Sequence, residues 1–321
     1  MSTQKLSWIG LMVEDSIIEE NLAQGSFAFI FKGTTLDTGT NVAFKLAKAE
    51  DLVERVPATP ESPRHTNALS FFTGGTRNVR PDAEALLALQ FKKIKKSMDT
   101  ALVKVQKLKQ EKGLCYYQME FLPGGSMREL IEGRNAGLSL FASLALMLDR
   151  LSHNQNFGYH GDLKPENIMV GPAGLKLIDP GYFGPLQCQE GSMSKCAITT
   201  TCYYPTLTPD DLYAFGVMLW EACLGEHPLL GAGSENEVGD TLRQKIKRYS
   251  SLGYYGFEPL LRLRRPSVVR PNLSLEVEKF LLKALRLDVD AQGRLEEAPG
   301  FADFAQIHEA ITRLQSAGLD F

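Results

Sequence analysis

A chain of 321 residues suits one large or two modest domains and can bury a sizeable core. Its 44% hydrophobic and 23% charged residues are those of an ordinary globular protein, and a net charge of −3 gives no reason to expect nucleic acid or an anionic membrane as a partner. Five cysteines, Cys115, Cys188, Cys196, Cys202 and Cys223, are odd in number and irregular in spacing, which argues against a disulfide framework. The cluster of Cys188, Cys196 and Cys202 has no C-x-x-C pair and no nearby histidine, which argues against zinc. The apolar runs fall short of a membrane span and no basic-then-apolar leader opens the chain, so a cytoplasmic, reducing location is expected.

In chain order, Ser7–Val13 and Ile17–Glu20 are strand-like. Leu22–Gly33 reads as strand, turn, strand, with Gly25 in the turn. Val42–Leu46 is a strand closing a second hairpin; its Lys45, taken alone, reads as a solvated edge lysine. Residues 51–80 are rich in Pro, Thr, Asn, Gly and Arg and read as an insertion in loop form. Pro81 and Asp82 then open a helix with Leu86, Leu89 and Ile94 near one apolar face. Its basic run, Lys92 to Lys96, falls at the C-terminal end, where cations suit the helix dipole. Ala101–Leu108 and Leu114–Glu120 form another hairpin, and a Pro-Gly turn leads into helices over Met127–Glu132 and Leu138–Leu151.

The stretch Tyr159–Val170 then places a carboxylate, an ammonium and an amide within six residues, at Asp162, Lys164 and Asn167. Ile168–Leu177 reads as a short hairpin, and Asp179 follows Asn167 by twelve residues, with Pro180 and Gly181 after it. Asp211–Glu221 is a buried helix by its apolar content, so Asp211 needs hydrogen-bond donors. His227, before a proline in a loop, reads as structural. Asp240–Tyr249, Leu275–Leu287 and Ala302–Leu314 read as helices.

The run Tyr159–Val170 with Asp179-Pro180-Gly181 resembles the catalytic and metal-binding loops of the protein kinase family, and the resemblance extends over roughly residues 16–314. It implies an α+β, bilobal kinase-like fold: a β-rich N-lobe with one main helix (residues 1–122, insertion about 51–80) and a helical C-lobe (residues 123–321). It implies ATP and Mg²⁺ as cofactors. Asp162 would accept the proton of the attacking hydroxyl, Lys164 would steady the transferring phosphoryl group, and Asn167 and Asp179 would hold the metal through hard oxygens. Those types suit a reaction that is mostly positioning and charge neutralisation. Lys45 matches the lysine for the α- and β-phosphates and Glu84 its glutamate partner on the main helix, although 39 residues separate the two. Leu22, Gly25, Ile30, Ala43, Lys45 and Met169 would surround the nucleotide, with the backbone of Glu120 and Leu122 at the adenine edge and Met119 as the bulky neighbour.

Departures from the family pattern shape the expected function. Of three loop glycines only Gly25 is present, with Ala23 and Ala28 at the others, so a stiffer loop is expected. Gly161 replaces an arginine that grips an activation-loop phosphate, and also resembles the H-G-D loop of aminoglycoside and choline kinases. Pro180 replaces the aromatic of D-F-G and is expected to push Asp179 toward extended backbone. Tyr182–Tyr204 would be the activation segment, but its A-P-E ending is degenerate, so Arg294, which would pair with that glutamate, needs another partner. The D-L-K-P-E-N form resembles the Ser/Thr branch. The reading is therefore an ATP- and Mg²⁺-dependent Ser/Thr protein kinase acting on protein hydroxyls, the alternatives being a small-molecule or atypical kinase, or a nucleotide-binding pseudokinase that acts as a scaffold.

Overall fold

The computed structural model describes residues 8–25, 27–48, 69–72, 82–111, 114–187, 193–199, 203–204, 209–228 and 263–320. They fall into two compact units, residues 1–123 with 176–200, and residues 124–175 with 201–321.

The first unit is built on a six-stranded antiparallel sheet. Its strands are β1 (Met12–Val13), β2 (Ser16–Gln24), β3 (Ala28–Thr35), β4 (Asn41–Ala47), β6 (Val105–Glu111) and β7 (Leu114–Glu120), in the order β1-β2-β3-β4-β7-β6. Side chains alternate across a strand, so Val42, Phe44 and Leu46 share one face of β4. They join Ile18, Phe29, Phe31 and Tyr116 in a buried cluster capped by Trp8 and Val13. Ala43, Lys45 and Ala47 take the opposite face, which α1 (Ala83–Ser97) covers. Both faces of β4 are thus buried, and Lys45 is only 5% exposed.

Helix α1 starts where Asp82 Oδ1 accepts from the N–H groups of Glu84 (2.9 Å) and Ala85 (3.2 Å). It carries Lys95 and Lys96 in its last turn and ends at Met98 in the left-handed region, φ 50°.

A second sheet in this unit pairs β10 (Tyr182–Gln187) with β11 (Met193–Thr199), and β11 in turn with β5 (Leu69–Phe72). The loop expected over residues 51–80 is therefore corrected in part: residues 69–72 form a strand, in register from Cys196↔Phe72 to Thr199↔Leu69. Four residues flanked by Pro, Gly and Asn carry no strand periodicity of their own; β11 supplies their backbone partners. The rest of 51–80 lies outside the described residues, as do the expected helix over 240–249 and the residues at 205–206 where the A-P-E ending would fall.

The second unit is helical. It comprises α2 (Met127–Glu132), α3 (Leu138–Ser152), α4 (Asp211–Leu224), the short α5 (Pro266–Val269), α6 (Leu275–Ala284) and α7 (Phe304–Ser316). Helix α3 begins after Gly137, which has no capping side chain; Asp320 Oδ1 accepts from the Leu138 N–H instead, at 2.9 Å. Helix α4 is buried on nearly every side, the signature of a central core helix. Phe215 on α4 meets Phe141 on α3 and Phe304 on α7 edge-on, at centroid distances of 5.6 and 5.7 Å. Beyond α6, β12 (Leu287–Val289) and β13 (Leu295–Glu297) form a hairpin, so the helix expected to run to Leu287 ends at Ala284. Arg294 finds its partner inside this hairpin, Asp290 Oδ2 at 2.8 Å. β8 (Ile168–Gly171) and β9 (Gly174–Leu177) form a two-stranded hairpin. Among the described residues no helix is long and apolar enough to cross a membrane.

Gly216 lets α4 approach α6: a Cβ there would stand 2.5 Å from the Ala284 carbonyl oxygen. Alanine favours a helix interior over glycine by about 1 kcal/mol, yet Gly216→Ala is expected to destabilise by roughly 1–3 kcal/mol, because backbone must move. A fall in the urea midpoint, with no change in helix content by circular dichroism, is the expected result.

Candidate active site

In the second unit, the loop after α3 is strung from one buried carboxylate. Asp211, in the first turn of α4 and 7% exposed, accepts from the N–H groups of His160 (2.5 Å) and Gly161 (2.9 Å) and from the Tyr204 hydroxyl (2.5 Å). Tyr204 OH in turn accepts from the Leu163 N–H at 2.6 Å. Burial first, then the Asp211 charge, holds the Tyr204 phenol well above its usual range, so it stays protonated. Gly161 sits at φ 81°, a left-handed conformation that glycine adopts without strain. The residue expected to mark a missing arginine thus also has a backbone role.

That scaffold presents the predicted catalytic groups together. Asn167, in the 3-10 turn Pro165–Asn167, directs Nδ2 at Asp162, 2.7 Å from its carbonyl oxygen and 3.0 Å from Oδ2. Lys164 Nζ stands 3.4 Å from the same Oδ2 and is 6% exposed. With the amide nitrogen aimed at Asp162, Asn167 Oδ1 is the hard oxygen that would serve as a metal ligand. Met169 follows on β8, partly buried.

Beside the loop lies a charged set that the sequence did not reveal. The Arg128 guanidinium donates to Glu166 Oε1 (Nε, 2.7 Å), Glu221 Oε2 (Nη1, 2.8 Å) and the Tyr203 hydroxyl (Nη2, 2.7 Å). Tyr203 passes a hydrogen bond on to Glu221 Oε1 at 2.8 Å. Burial raises the Glu221 pKa, and Arg128 opposes the shift. Four residues spread between positions 128 and 221 share no local pattern; only folding assembles them. His227 stacks edge-on against Tyr203, 5.4 Å between centroids, and is buried, as its structural reading expected.

In the first unit, Lys45 Nζ makes an ion pair with Asp179 Oδ1 at 2.7 Å and donates to Gln90 Oε1 at 2.9 Å. Glu84 is not its partner, which corrects the sequence expectation. Glu84 lies in the first turn of α1, and Gln90, six residues on, is about 9 Å further along the axis at 1.5 Å per residue. Gln90 therefore occupies the place assigned to the glutamate. The Glu84 pKa is raised by burial and by Asp82, and its carbonyl receives the Cys115 thiol at 3.7 Å.

Asp179 departs from expectation too: its φ is 52°, not extended. A non-glycine residue in that region is strained and persists where its surroundings over-determine it. Here the Lys45 ion pair and a hydrogen bond from Gln90 Nε2 to the Pro180 carbonyl (2.8 Å) do so.

The remaining nucleotide positions line this sheet. Ile30 faces Lys45 across β3 and β4, and Ala43 faces Met119 across β4 and β7. Leu22 lies on β2, 40% exposed. The turn between β2 and β3 is closed by Gly25 N–H to the Ala28 carbonyl, 2.9 Å, and the Lys48 ammonium donates to the Gly25 carbonyl while lying over the Phe29 ring. Gly25 has neither a positive φ nor a crowded Cβ position. The Glu120 N–H is taken by the Lys104 carbonyl (2.9 Å) and its carboxylate by Lys176 (2.7 Å); Leu122 is buried.

A family model described as "Protein kinase domain" matches residues 89–298, more than half of the chain. This chain belongs to the protein kinase family. The match begins within α1, so Lys45 and Gly25 lie outside it, whereas the loop from His160 to Asp179 lies inside. Among curated relatives, the "Dual serine/threonine and tyrosine protein kinase" of Takifugu rubripes is 32% identical over 130 residues, 38% of this chain and 14% of the relative. The protein of that name from Homo sapiens is 30% identical over 130 residues, again 38% of this chain and 14% of its own length. "Serine/threonine-protein kinase RAD53" of Saccharomyces cerevisiae is 23% identical over 306 residues, 87% of this chain and 32% of the relative. The chain thus spans about a third or less of the length of these kinases. The kinase α+β fold is present as a sheet-based unit with one main helix and a helical unit.

Two measurements probe the scaffold of this kinase loop. Tyr204→Phe removes a donor to Asp211 and the acceptor of the Leu163 N–H, both buried, and is expected to cost about 1–3 kcal/mol in denaturation. His227 provides a pH test: burial first, then Arg128, lowers its pKa from 6.5 to about 3. Between those values the unfolded chain binds a proton that the folded state refuses. Its stabilising effect is complete above pH 6.5 and declines as the pH falls, by up to about 1.4 kcal/mol per pH unit. Urea midpoints at about pH 7.5 and about pH 5.5 should differ less in His227→Phe than in the wild type.

Proposed function

We propose that this kinase is an ATP- and Mg²⁺-dependent phosphotransferase that moves the γ-phosphoryl group of ATP to Ser or Thr hydroxyls of proteins. The observation that carries the reading is the Asp162–Lys164–Asn167 cluster, with Asn167 Nδ2 and Lys164 Nζ both at Asp162 Oδ2, 3.0 and 3.4 Å away. In this reading the Asp162 carboxylate, oriented by Asn167, takes the proton as the substrate hydroxyl forms its bond to phosphorus and ADP departs. Lys164 balances the Asp162 charge and meets the transferring group. Lys45 would hold phosphate oxygens, and Asp179 of the first unit and Asn167 of the second would each offer an oxygen to the metal. Among the described residues no cluster of three or more His, Cys, Asp or Glu side chains stands ready to hold a metal unaided. Mg²⁺ would need only one or two protein oxygens here. The metal supplies charge neutralisation between phosphate oxygens when bound.

Preference for Ser and Thr rests on Lys164 in the D-L-K-P-E-N run and on the name of the yeast relative; the vertebrate relatives' names include tyrosine, so Tyr is the rival acceptor. A reducing, cytoplasmic setting is part of the same reading, supported by the buried free thiols Cys115 and Cys223, whose pKa values burial pushes up to about 12 and about 11.

Purified chain incubated with labelled ATP, Mg²⁺, generic protein substrates and a metabolite mixture should place label on protein Ser and Thr. Asp162→Ala should lower the rate by roughly 10²–10⁴-fold while nucleotide binding persists. Label confined to tyrosine or to metabolites would replace the acceptor assignment. Nucleotide binding without transfer under any divalent metal would make the chain a scaffold instead.

A further inference from the structure

We infer that Gln90 is a positioning residue that sets the metal-binding loop by gripping Lys45 and the Pro180 carbonyl with the two ends of one amide. The inference rests on the reading of Lys45 and Asp179 as phosphate- and metal-facing groups.

Gln90 lies in the middle of α1, 8% exposed. Its Oε1 accepts from Lys45 Nζ at 2.9 Å and its Nε2 donates to the Pro180 carbonyl at 2.8 Å. Lys45 closes the ring on Asp179 at 2.7 Å, and Asp179 is bonded covalently to Pro180. Strand β4, helix α1 and the loop at 179–181 are thereby joined through one side chain.

The Gln90 amide makes both bonds at once. An ionised glutamate accepts and cannot donate, so it would hold Lys45 and present an oxygen to the oxygen of Pro180. The proline makes the donor matter more, since Pro180 has no N–H and its carbonyl is the one backbone polar group by which it can be held. Charge favours the amide as well. Lys45 and Asp179 neutralise each other in a site where Lys45 is 5% exposed; a second carboxylate would leave a net negative charge in it. Gln90 and Pro180 are thus a matched pair. The amide compensates for the proline and keeps Asp179 at its strained φ of 52°.

The test compares wild type, Gln90→Glu and Gln90→Met in the full chain by two readouts. The first is hydrogen exchange without nucleotide. Protection of the amides at 178, 179, 181 and 182 should fall roughly three- to tenfold in both variants, relative to peptides from α3 and α4. The second is calorimetric binding of ADP across a Mg²⁺ series. Both variants should need more Mg²⁺ for half-maximal effect, whereas metal-free affinity should be kept in Gln90→Glu, which still holds Lys45, and reduced in Gln90→Met. Wild-type protection and Mg²⁺ dependence in Gln90→Glu would overturn the inference. So would a loss of protection spread evenly over the first unit, which marks a packing role alone. If the wild type binds no nucleotide, the function proposed above fails, and the exchange result decides the role of Gln90 separately.

Discussion

Asp211 sits at the top of a helix buried on nearly every side, where a carboxylate is tolerated only with donors around it. The donors it finds are the N–H groups of His160 and Gly161 and the Tyr204 hydroxyl, and Tyr204 extends the hold to Leu163. The path of the backbone into Asp162 is therefore dictated from inside the core. A loop tied at three successive points cannot drift, and Asn167 and Lys164 then need only short reaches to meet the Asp162 carboxylate. The geometry of the Asp162 loop is a consequence of satisfying one buried charge.

The first unit solves a related problem with opposite sign. Lys45 is a buried cation on the covered face of β4, and it is neutralised by Asp179 and hydrogen-bonded by Gln90. Leaving the buried Lys45 unpaired would be strongly destabilising, so the pair with the partly exposed Asp179 holds β4 and the 179–181 loop together. The Arg128 set beside the loop follows the same logic: one guanidinium donates to Glu166, Glu221 and Tyr203 together. In each case a polar group stays in the interior because its partners come from distant parts of the chain.

Much of the site was legible because its information is local. Asp162, Lys164 and Asn167 lie within six residues, and a short run with fixed spacing keeps its members close however the rest folds. Asp211 was legible for another reason, since a carboxylate opening an apolar helix must be bonded to something. Glu84 misled because residue type was weighed above helical position: the side chain that meets Lys45 is chosen by where α1 lies on the sheet, and that falls at Gln90. Residues 69–72 lacked a signal of their own, because their strand exists through pairing with β11. Asp179 was expected extended from the proline rule alone, which takes no account of the Lys45 ion pair and the Gln90 hydrogen bond.

The amino-acid sequence by itself determined most of the order of the described elements, the Asp162–Lys164–Asn167 run and the family resemblance. These depend on periodicity, turn chemistry and spacing along the chain, all short-range quantities. The tertiary structure alone decided who partners whom: Asp179 and Gln90 with Lys45, Asp290 with Arg294, and Arg128 with Glu166 and Glu221. It also decided the positive φ at Asp179 and at Gly161. Except for Asp290 with Arg294, a pair closed within one hairpin, these pairings join residues dozens of positions apart. A buried charge selects its partner by distance in space, and separation along the chain carries almost no information about that distance until the core has packed.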